Sequence, residues 1–214
     1  MKSTFVIFGM PGVGKDTRLS KFLAERDGEY ELFSIGNLLR KEVASGTELG
    51  LKAEPYMVSG GLVPDEIINE VVINGIKNAD VNLIMNGYPR TVAQAKTMID
   101  ADLVPTVVIE LTAPREVILQ RARDRVVCEK CNEAYTLNDY KPTQVPGICD
   151  KCGGKVSRRA DDEDETVLKR LEVYDTQTYP LLEVLEEAGV EVCVLDSTQP
   201  DIDEAFAILM EKYS

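Results

Sequence analysis

The sequence of 214 residues contains no histidine. This absence excludes a serine–histidine catalytic triad, a histidine general base and a histidine metal ligand. Lysine, arginine, carboxylate, hydroxyl and thiol groups remain as the side chains that could carry chemistry. Any catalytic mechanism must therefore be built from these groups.

Long apolar runs are also missing from the sequence. The longest early run, Phe5 to Phe8, is far shorter than the ~18–20 residues of a membrane-spanning helix, and no signal-peptide pattern accompanies it. Apolar residues nevertheless make up 44% of the chain and charged residues 29%, which is typical of globular proteins. We expect one globular domain with a large core, monomeric and cytoplasmic, with no membrane partner.

Basic residues are scarce relative to acidic ones. The chain has 24 Lys and Arg against 37 Asp and Glu, which gives a net charge of −13. A surface of this charge repels polyanions, so we expect no nucleic-acid partner. Any phosphate chemistry must use a local pocket of basic residues.

Five short apolar segments alternate with longer segments of helical character. They are rich in Val, Ile, Leu or Phe, as buried parallel strands are. The five segments are Thr4–Phe8, Leu32–Ile35, Asn82–Asn86, Val104–Leu111 and Glu191–Leu195. Amphipathic helices are predicted from Pro64 to Asn78 and after Pro200. We therefore predict an α/β fold, a three-layer arrangement in which helices flank a five-stranded parallel sheet.

Two segments depart from this alternation. Residues 36–61 contain two short helical patterns, Asn37–Ala44 and Glu48–Val58, without a strong strand. Residues 126–157, called here the cysteine-rich segment, contain Cys, Gly, Pro and isolated Tyr with little periodicity. The cysteine-rich segment has too little apolar material to form a core alone, so a metal would have to hold it together.

Four of the five cysteines form two Cys-x-x-Cys pairs in this segment. The pairs are Cys128 with Cys131 and Cys149 with Cys152. Their spacing is typical of a structural zinc site closed by four thiolates. Iron could occupy the same sulfur geometry, and two disulfides are the alternative to a metal. The fifth cysteine, Cys193, lies in an apolar run and is predicted to be a buried thiol.

Glycines follow the first predicted strand directly. Residues 9–17 read Gly-Met-Pro-Gly-Val-Gly-Lys-Asp-Thr, and a helical stretch comes next. This order is typical of a phosphate-binding loop, in which backbone N–H groups and a helix N-terminus hold phosphate oxygens and Lys15 reaches the terminal phosphates. A glycine-rich turn with a solvated lysine is the alternative.

Four arginines border the cysteine-rich segment. Arg121 and Arg125 lie on one face of a helix that should begin near Pro114, while Arg159 and Arg170 follow the segment. In a chain this acidic, such a concentration of arginine indicates a local anion site. Solvated arginine–aspartate pairs are the alternative.

The phosphate loop resembles that of nucleoside monophosphate kinases, above all adenylate kinases, which read Gly-x-Pro-Gly-x-Gly-Lys-Gly-Thr. Further segments resemble the same family in the same order and cover nearly the whole chain. These segments are Ser34–Arg40, Gly61–Asp65, Asn86–Thr91 with Gln94, Arg159–Asp162 and Lys169–Leu171. The resemblance implies reversible phosphoryl transfer from ATP to AMP, giving two ADP, with Mg²⁺ as cofactor and structural Zn²⁺ in the cysteine-rich segment.

The resemblance also implies a division of the chain and a role for each site residue. It implies a core of residues 1–33, 64–125 and 158–214, with two mobile inserts, a monophosphate-binding insert of 34–63 and a zinc-binding lid of 126–157. The implied catalytic residues are Lys15, Arg125, Arg159 and Arg170. The implied ATP contacts are Gly12, Val13, Gly14, Lys15, Asp16, Thr17, Arg121, Arg125, Tyr135 and Gln199. The implied AMP contacts are Ile35, Arg40, Gly61, Leu62, Val63, Gly87, Tyr88, Arg90, Gln94, Arg159 and Arg170.

Three positions depart from the family's pattern. Asp16 stands where the family has Gly, Ile35 where it usually has Thr, and Asn86 where it usually has Asp. Because parallel strands deliver their carboxyl ends to one crevice, Asp16 should lie near Asn86. The Asp16 carboxylate would either contact the water shell of Mg²⁺ or only favour the helix dipole. Ile35 predicts relaxed selectivity for the acceptor base.

Two other functions fit parts of the pattern. A related monophosphate kinase would use the same loop and arginines with a different base preference. A zinc-ribbon binding module would use the cysteine pairs and carry a degenerate phosphate loop, although the net charge of −13 disfavours a nucleic-acid partner.

Overall fold

The computed structural model describes residues 2–69, 80–138 and 141–214. Residues 65–69 are helical, and the remainder of the helix predicted through Asn78 lies outside the described residues. Within the described ranges, no helix has both the length and the apolar character that crossing a membrane requires.

The main sheet has five parallel strands, which lie side by side in the order Tyr30–Ser34, Asn82–Asn86, Thr4–Phe8, Val107–Thr112 and Glu191–Asp196. These strands are β1 (Thr4–Phe8), β2 (Tyr30–Ser34), β3 (Asn82–Asn86), β4 (Val107–Thr112) and β8 (Glu191–Asp196). The predicted α/β fold with a five-stranded parallel sheet is therefore confirmed. Strand β1 lies at the centre, so the loop that follows it leaves the sheet from the middle of its carboxyl edge.

Side chains of β1 alternate between two apolar clusters, one on each face of the sheet. Val6 and Phe8 belong to one cluster, and Phe5 and Ile7 belong to the other. All four side chains are at most 3% exposed. A strand covered on both faces has no polar side, which explains its uninterrupted apolar run.

Helices cover both faces of the main sheet. They span Lys15–Leu23, Ile35–Ala44, Glu48–Ser59, Val92–Asp100, Arg115–Asp124, Asp164–Val173, Leu181–Glu187 and Ile202–Lys212. The first and the last pack together on one face, while Val92–Asp100 and Leu181–Glu187 pack on the opposite face. A 3-10 turn at Ala160–Asp162 and a π-helical stretch at Tyr174–Thr178 flank the helix Asp164–Val173.

Strand ends and one burial differ from the sequence-based expectations. Ile35 is the first residue of a helix, not the last of β2, and its side chain is buried there. Strand β4 begins at Val107, three positions after the predicted start, because Pro105 has no N–H for the ladder. Cys193 is half-buried, not buried, because β8 lies at the edge of the sheet and, in the described part of the chain, pairs with β4 alone.

The cysteine-rich segment and the residue before it form a second, smaller sheet. Its three antiparallel strands, β5 (Arg125–Cys128), β6 (Ala134–Thr136) and β7 (Val156–Ser157), lie in the order β6-β5-β7. The buried apolar cluster of this sheet contains Val126, Cys128, Tyr135 and Cys149. Two of these four residues are cysteines, so little hydrocarbon is available to stabilise the small sheet.

Candidate active site

The phosphate loop connects β1 to the helix Lys15–Leu23. Gly9, Gly12 and Gly14 have positive φ angles of 129°, 85° and 109°. A Cβ atom on Gly9 would lie 2.2 Å from the Leu111 carbonyl oxygen, so a larger residue is excluded there. The Lys15 Nζ donates to the carbonyl oxygens of Gly9 at 2.6 Å and Met10 at 3.0 Å. The lysine is thereby folded back over the loop.

A cavity at the carboxyl edge of the sheet collects basic side chains from six separate positions. We call it the cation pocket, and its basic lining residues are Lys15, Arg40, Arg90, Arg125, Arg159 and Arg170. They come from the phosphate loop, from two helices, from the loop after β3, from the start of β5 and from the chain after β7. The local basic pocket that the acidic composition required is therefore present.

Burial and, to a smaller extent, neighbouring like charges lower the pKa values of basic side chains in the cation pocket. Burial lowers the pKa of Lys15 from 10.5 to about 7, against the opposing effect of Asp16 and with further lowering by Arg90 and Arg125. The pKa of Arg40 and of Arg90 is also lowered, to about 10, mainly by burial and additionally by neighbouring arginines. An incoming polyanion would relieve this repulsion, which is the electrostatic property of a phosphate site.

Two aspartates hold three of the arginines in place. Asp161 accepts from Arg159 Nε at 2.8 Å and from Arg170 Nη2, while Asp162 accepts from Arg125 Nε at 2.8 Å. Burial raises the pKa of the Asp161 carboxyl, but the guanidiniums of Arg159 and Arg170 outweigh burial and hold that pKa well below its usual range. These carboxylates fix the directions of the guanidinium groups before any ligand arrives.

The loop after β3 forms the opposite wall of the cation pocket. Arg90 Nε donates to the Gly87 carbonyl oxygen at 2.9 Å, and the Arg90 backbone N–H donates to Gln94 Oε1 at 2.7 Å. Gln94 Nε2 in turn donates to Asp65 Oδ1 at 2.7 Å, and Thr91 Oγ1 donates to Asp65 Oδ2 at 3.0 Å. A single carboxylate thus ties this loop to the start of the helix at residue 65.

The phosphate loop and β3 also meet directly. Asn86 Nδ2 donates to Asp16 Oδ1 at 2.7 Å, and the Asn86 side chain is buried. The sequence-based expectation that these two positions lie together is confirmed. Both residues line the cation pocket.

The four cysteines of the two Cys-x-x-Cys pairs come together in the small sheet. Their Sγ atoms all lie within 4.8 Å of one another. Cys128 and Cys152 Sγ are 3.5 Å apart, and Cys131 and Cys149 Sγ are 3.6 Å apart. A tetrahedral site with metal–sulfur bonds of ~2.3 Å has edges of about 3.8 Å, so this cluster has the size of a four-thiolate metal site.

The backbone around the cysteines is shaped for this cluster. Asn132 and Gly153, which directly follow the second cysteine of each pair, adopt φ angles of 58° and 69°. The Lys130 N–H donates to Cys128 Sγ at 3.4 Å. A Cβ atom on Gly154 would lie 2.9 Å from Cys128 Sγ, so this close approach requires glycine.

Comparison with known proteins identifies the family. The family model described as adenylate kinase matches residues 7–190. The chain belongs to the adenylate kinase family. It is 42% identical over 193 residues to an adenylate kinase of Caldicellulosiruptor saccharolyticus, an alignment that covers 87% of this chain and 88% of the relative.

Relatives from other organisms match over still more of the chain. An adenylate kinase of Methanosarcina barkeri is 41% identical over 207 residues, which is 94% of both chains. An adenylate kinase of Thermodesulfovibrio yellowstonii is 39% identical over 217 aligned positions, covering 97% of this chain and 99% of the relative. The match to this family therefore includes the phosphate loop, the arginines and the cysteine-rich segment.

Most of the predicted AMP contacts line the cation pocket. The lining includes Ile35, Arg40, Gly61, Leu62, Val63, Gly87, Arg90, Gln94, Arg159 and Arg170. Tyr88 is the exception, because its ring is 1% exposed in the core and its hydroxyl donates to Asn69 Oδ1 at 3.0 Å. Tyr88 supports the loop from behind and does not reach the pocket.

The predicted ATP contacts divide into two groups. Those in the lining of the cation pocket are Gly12, Lys15, Asp16 and Arg125, while Val13, Gly14, Thr17, Arg121, Tyr135 and Gln199 lie outside that lining. Arg121 Nη1 donates to the Val13 carbonyl oxygen at 2.7 Å and to Ser197 Oγ at 2.8 Å, on the other side of the phosphate loop. Gln199 is exposed and lies two residues after Ser197, with its Nε2 donating to Asp196 Oδ2 at 2.9 Å.

Tyr135 is placed differently from its prediction as an ATP contact. Its side chain is 3% exposed within the small sheet. The hydroxyl lies 3.3 Å from Cys149 Sγ and accepts from the Asp150 N–H at 2.9 Å. The structure therefore brings Tyr135 to the cysteine cluster and not to the cation pocket.

Sequence reasoning assigned no role to the residues that position the arginines. Asp161 and Asp162 directly follow Arg159 and an alanine in one of the family-like segments, and Asp65 ends another. Their place inside those segments was the available signal. Their partners could not be identified from sequence, because Arg125 and Arg170 are brought to them by the fold alone.

Proposed function

We propose that this chain catalyses the reversible transfer of the terminal phosphoryl group of ATP to AMP, giving two ADP. The observation that carries this proposal is the convergence of one lysine and five arginines on a single pocket beside a phosphate loop, in a chain of net charge −13. Membership of the adenylate kinase family supports the same reaction.

The donor phosphates would bind at the phosphate loop. Backbone N–H groups of the loop and the N-terminus of the helix Lys15–Leu23 favour anionic oxygens, and the Lys15 ammonium adds a positive charge. Lys15 donates to two loop carbonyls in the free protein, and it would exchange these contacts for phosphate oxygens. ATP binding thus replaces weak acceptors by charged ones.

The transferring phosphoryl group would lie between Arg125, Arg159 and Arg170. Phosphoryl transfer passes through a loose in-line transition state with charge spread over the equatorial oxygens, so positioned cations stabilise it without a covalent intermediate. Asp161 and Asp162 hold these guanidiniums in fixed directions, which reduces the reorganisation needed as charge develops. In this proposal the three arginines are the catalytic residues together with Lys15.

The acceptor monophosphate would occupy the wall formed by the helix Ile35–Ala44 and the loop after β3. Arg40 and Arg90 would bind its phosphate, and residues 61–63 with Gln94 would surround its base. Gln94 already uses both ends of its amide on the protein, accepting from the Arg90 N–H and donating to Asp65. Its contribution to base recognition would therefore depend on exchanging one of these bonds.

Ile35 supports a relaxed choice of acceptor base. It is buried, lines the pocket and has no hydrogen-bonding group. An apolar wall contacts any base face but forfeits the hydrogen bond that would separate one base from another. We expect AMP to be the preferred acceptor, with measurable activity on a second monophosphate, and Ile35→Thr to sharpen the preference.

A divalent cation and a structural metal complete the proposal. Mg²⁺ supplies neutralisation of the β- and γ-phosphate charges when it enters with ATP. Zn²⁺ is the metal proposed for the four thiols, because their geometry closes a tetrahedron with no open position for water or substrate. The cysteine-rich segment and residues 34–63 are proposed to close over the two nucleotides and exclude water.

The test is a coupled assay of ATP with each nucleoside monophosphate. Arg170→Ala should lower turnover by about 10²–10³-fold, because one transition-state charge contact is worth ~3–4 kcal/mol. Lys169→Ala is the matched control, since this adjacent lysine is exposed and pairs with Glu172. Turnover of Arg170→Ala within threefold of Lys169→Ala would contradict the assignment, and turnover with no monophosphate acceptor would contradict the function.

A further inference from the structure

Asp16 is the only acidic residue among the described residues that line the cation pocket. It follows Lys15 directly, and its charge acts on Lys15, Arg40, Arg90 and Arg125. Within the described ranges it nevertheless forms no ion pair with any of them, whereas Asp161 and Asp162 are each paired to arginine. The negative charge of the Asp16 carboxylate is therefore available to a positively charged ligand.

Asn86 holds the Asp16 carboxylate by one oxygen. Its Nδ2 donates to Asp16 Oδ1 at 2.7 Å, and the amide is buried at the carboxyl end of β3. A carboxylate at position 86 could not donate this bond and would repel Asp16 at that distance. The second oxygen, Asp16 Oδ2, has no hydrogen-bond donor in the part of the chain that the structure describes.

The Asp16 carboxylate is unfavourable for binding a polyphosphate that carries no metal ion. Phosphates seated on the loop bring several negative charges beside Lys15, and the Asp16 carboxylate repels them. A divalent cation between the two resolves the conflict, because it is attracted by both. Mg²⁺ prefers oxygen ligands and keeps several waters, so one carboxylate oxygen and the phosphate oxygens suit it.

We infer that Asp16 binds the divalent cation that enters with the ATP phosphates, with Asn86 as the residue that positions its carboxylate. This inference rests on the proposed function, since it requires ATP at the phosphate loop. Asp16 then makes the affinity for ATP strongly dependent on Mg²⁺, because it opposes the free nucleotide and favours the complexed one.

The experiment measures ATP binding by titration calorimetry with and without Mg²⁺, in the absence of AMP. Chelators are left out, because they would also remove a thiolate-bound metal, and Mg²⁺ is removed from the ATP by ion exchange. The measured quantity is the Mg²⁺ benefit, defined as the Kd of free ATP divided by the Kd of the Mg²⁺ complex. The variants are Asp16→Asn, Asn86→Ala and the double variant Asp16→Asn with Asn86→Asp.

Asp16→Asn should lower the Mg²⁺ benefit at least tenfold, because it should raise the affinity for free ATP and lower the affinity for the Mg²⁺ complex of ATP. Asn86→Ala should lower it about threefold, since the carboxylate stays but loses its donor. The double variant returns a carboxylate to the same place and should recover the benefit to within about threefold of wild type. Asp100→Asn, an exposed acid at a helix end away from the pocket, is the control and should change nothing.

Three results would overturn these assignments in distinguishable ways. A Mg²⁺ benefit of Asp16→Asn within twofold of wild type would reject Asp16 as a cation ligand while leaving the proposed function intact. An unchanged benefit in Asn86→Ala would remove Asn86 as the positioning residue. A wild-type protein that binds ATP in neither condition would reject the proposed function, and this inference with it.

Discussion

The two sheets of this protein are stabilised by different means. In the main sheet, Phe5 and Ile109 on one face and Met85 and Val108 on the other face are completely buried. In the small sheet, the apolar cluster has four members and two of them are cysteines. Burial of apolar area stabilises the first, whereas the second depends on coordination of its thiols.

The larger apolar side chains of the cysteine-rich segment are mostly exposed. Leu137, Val145 and Ile148 of the cysteine-rich segment are 66%, 53% and 46% exposed, so even its large apolar side chains add little to a core. A segment of this size cannot bury enough surface to offset its chain entropy. We therefore expect the small sheet to unfold independently of the main sheet, and different perturbations should affect the two sheets differently.

Loss of the bound metal should have the largest effect. Four-thiolate zinc sites contribute roughly 10–16 kcal/mol in small domains, so chelation or Cys149→Ser should unfold residues 126–157. The main sheet should survive, because its core contains none of these residues. Amide hydrogen exchange followed by mass spectrometry measures both regions in one experiment.

Cys193→Ser is the matched control for that experiment. Cys193 lies on the edge strand β8, outside the thiol cluster, and its replacement should leave exchange in the small sheet unchanged. Metal analysis that finds no ion in purified protein, with all four clustered thiols reactive in the native state, would contradict the prediction.

A cavity in the main core should have the next largest effect. Ile84→Ala removes a completely buried side chain at the centre of β3, and such changes cost about 2–5 kcal/mol of unfolding free energy. Val126→Ala in the small sheet should cost less and change exchange only locally. Denaturant unfolding measures the free energies, with the exposed Leu137→Ala as the control. A larger decrease in the global free energy of unfolding for Val126→Ala than for Ile84→Ala would contradict the prediction.

The pH dependence of ATP binding should be the third largest effect. Burial lowers the pKa of Lys15 to about 7, so the free protein loses this proton above neutral pH, whereas phosphate binding requires the ammonium. ATP affinity should therefore fall by up to tenfold per pH unit above 7, about 1.4 kcal/mol. Calorimetry between pH 7 and 9, in buffers of different ionisation enthalpy, should show proton uptake.

The lowered pKa of Lys15 also makes folding stability depend on pH. Because the unfolded chain retains the Lys15 proton up to about its ordinary pKa of 10.5, the contribution of Lys15 to folding stability increases as pH rises from about 7 toward 10.5.

Lys15→Arg should flatten the dependence of ATP affinity on pH. Lys151→Ala, at an exposed position of the cysteine-rich segment, should leave it unchanged, and a wild-type profile that is flat from pH 7 to 9 would contradict the prediction.

Removal of one hydroxyl beside the thiols should have the smallest effect. Tyr135→Phe removes the contact with Cys149 Sγ and leaves the Asp150 N–H without its acceptor, a loss of ~1 kcal/mol. Metal release to a coloured chelator should become a few fold faster, with exchange in the main sheet unchanged. Tyr179→Phe is the control, because this tyrosine is exposed and lies outside the small sheet. Equal release rates in both variants would remove Tyr135 from the metal site.

The sequence determined the features that depend on local pattern. A strand covered on both faces has a continuous apolar run at its centre, and β1 and β3 were predicted with their observed bounds. The phosphate loop and the cysteine pairs were equally readable, because glycine conformation and thiol spacing are local constraints. The proximity of Asp16 to Asn86 also followed, since parallel strands end at one edge.

Only the tertiary structure decided what depends on packing between distant segments. The apolar segment 32–35 predicted Ile35 in a strand, although Ile35 is a buried residue that begins a helix, because both environments favour an apolar side chain. The hydroxyl of Tyr135 found Cys149 only once the small sheet had formed. Asp161 could pair with both Arg159 and Arg170 only after the fold had brought them together, since sequence specifies a charge but not the partner that geometry places beside it.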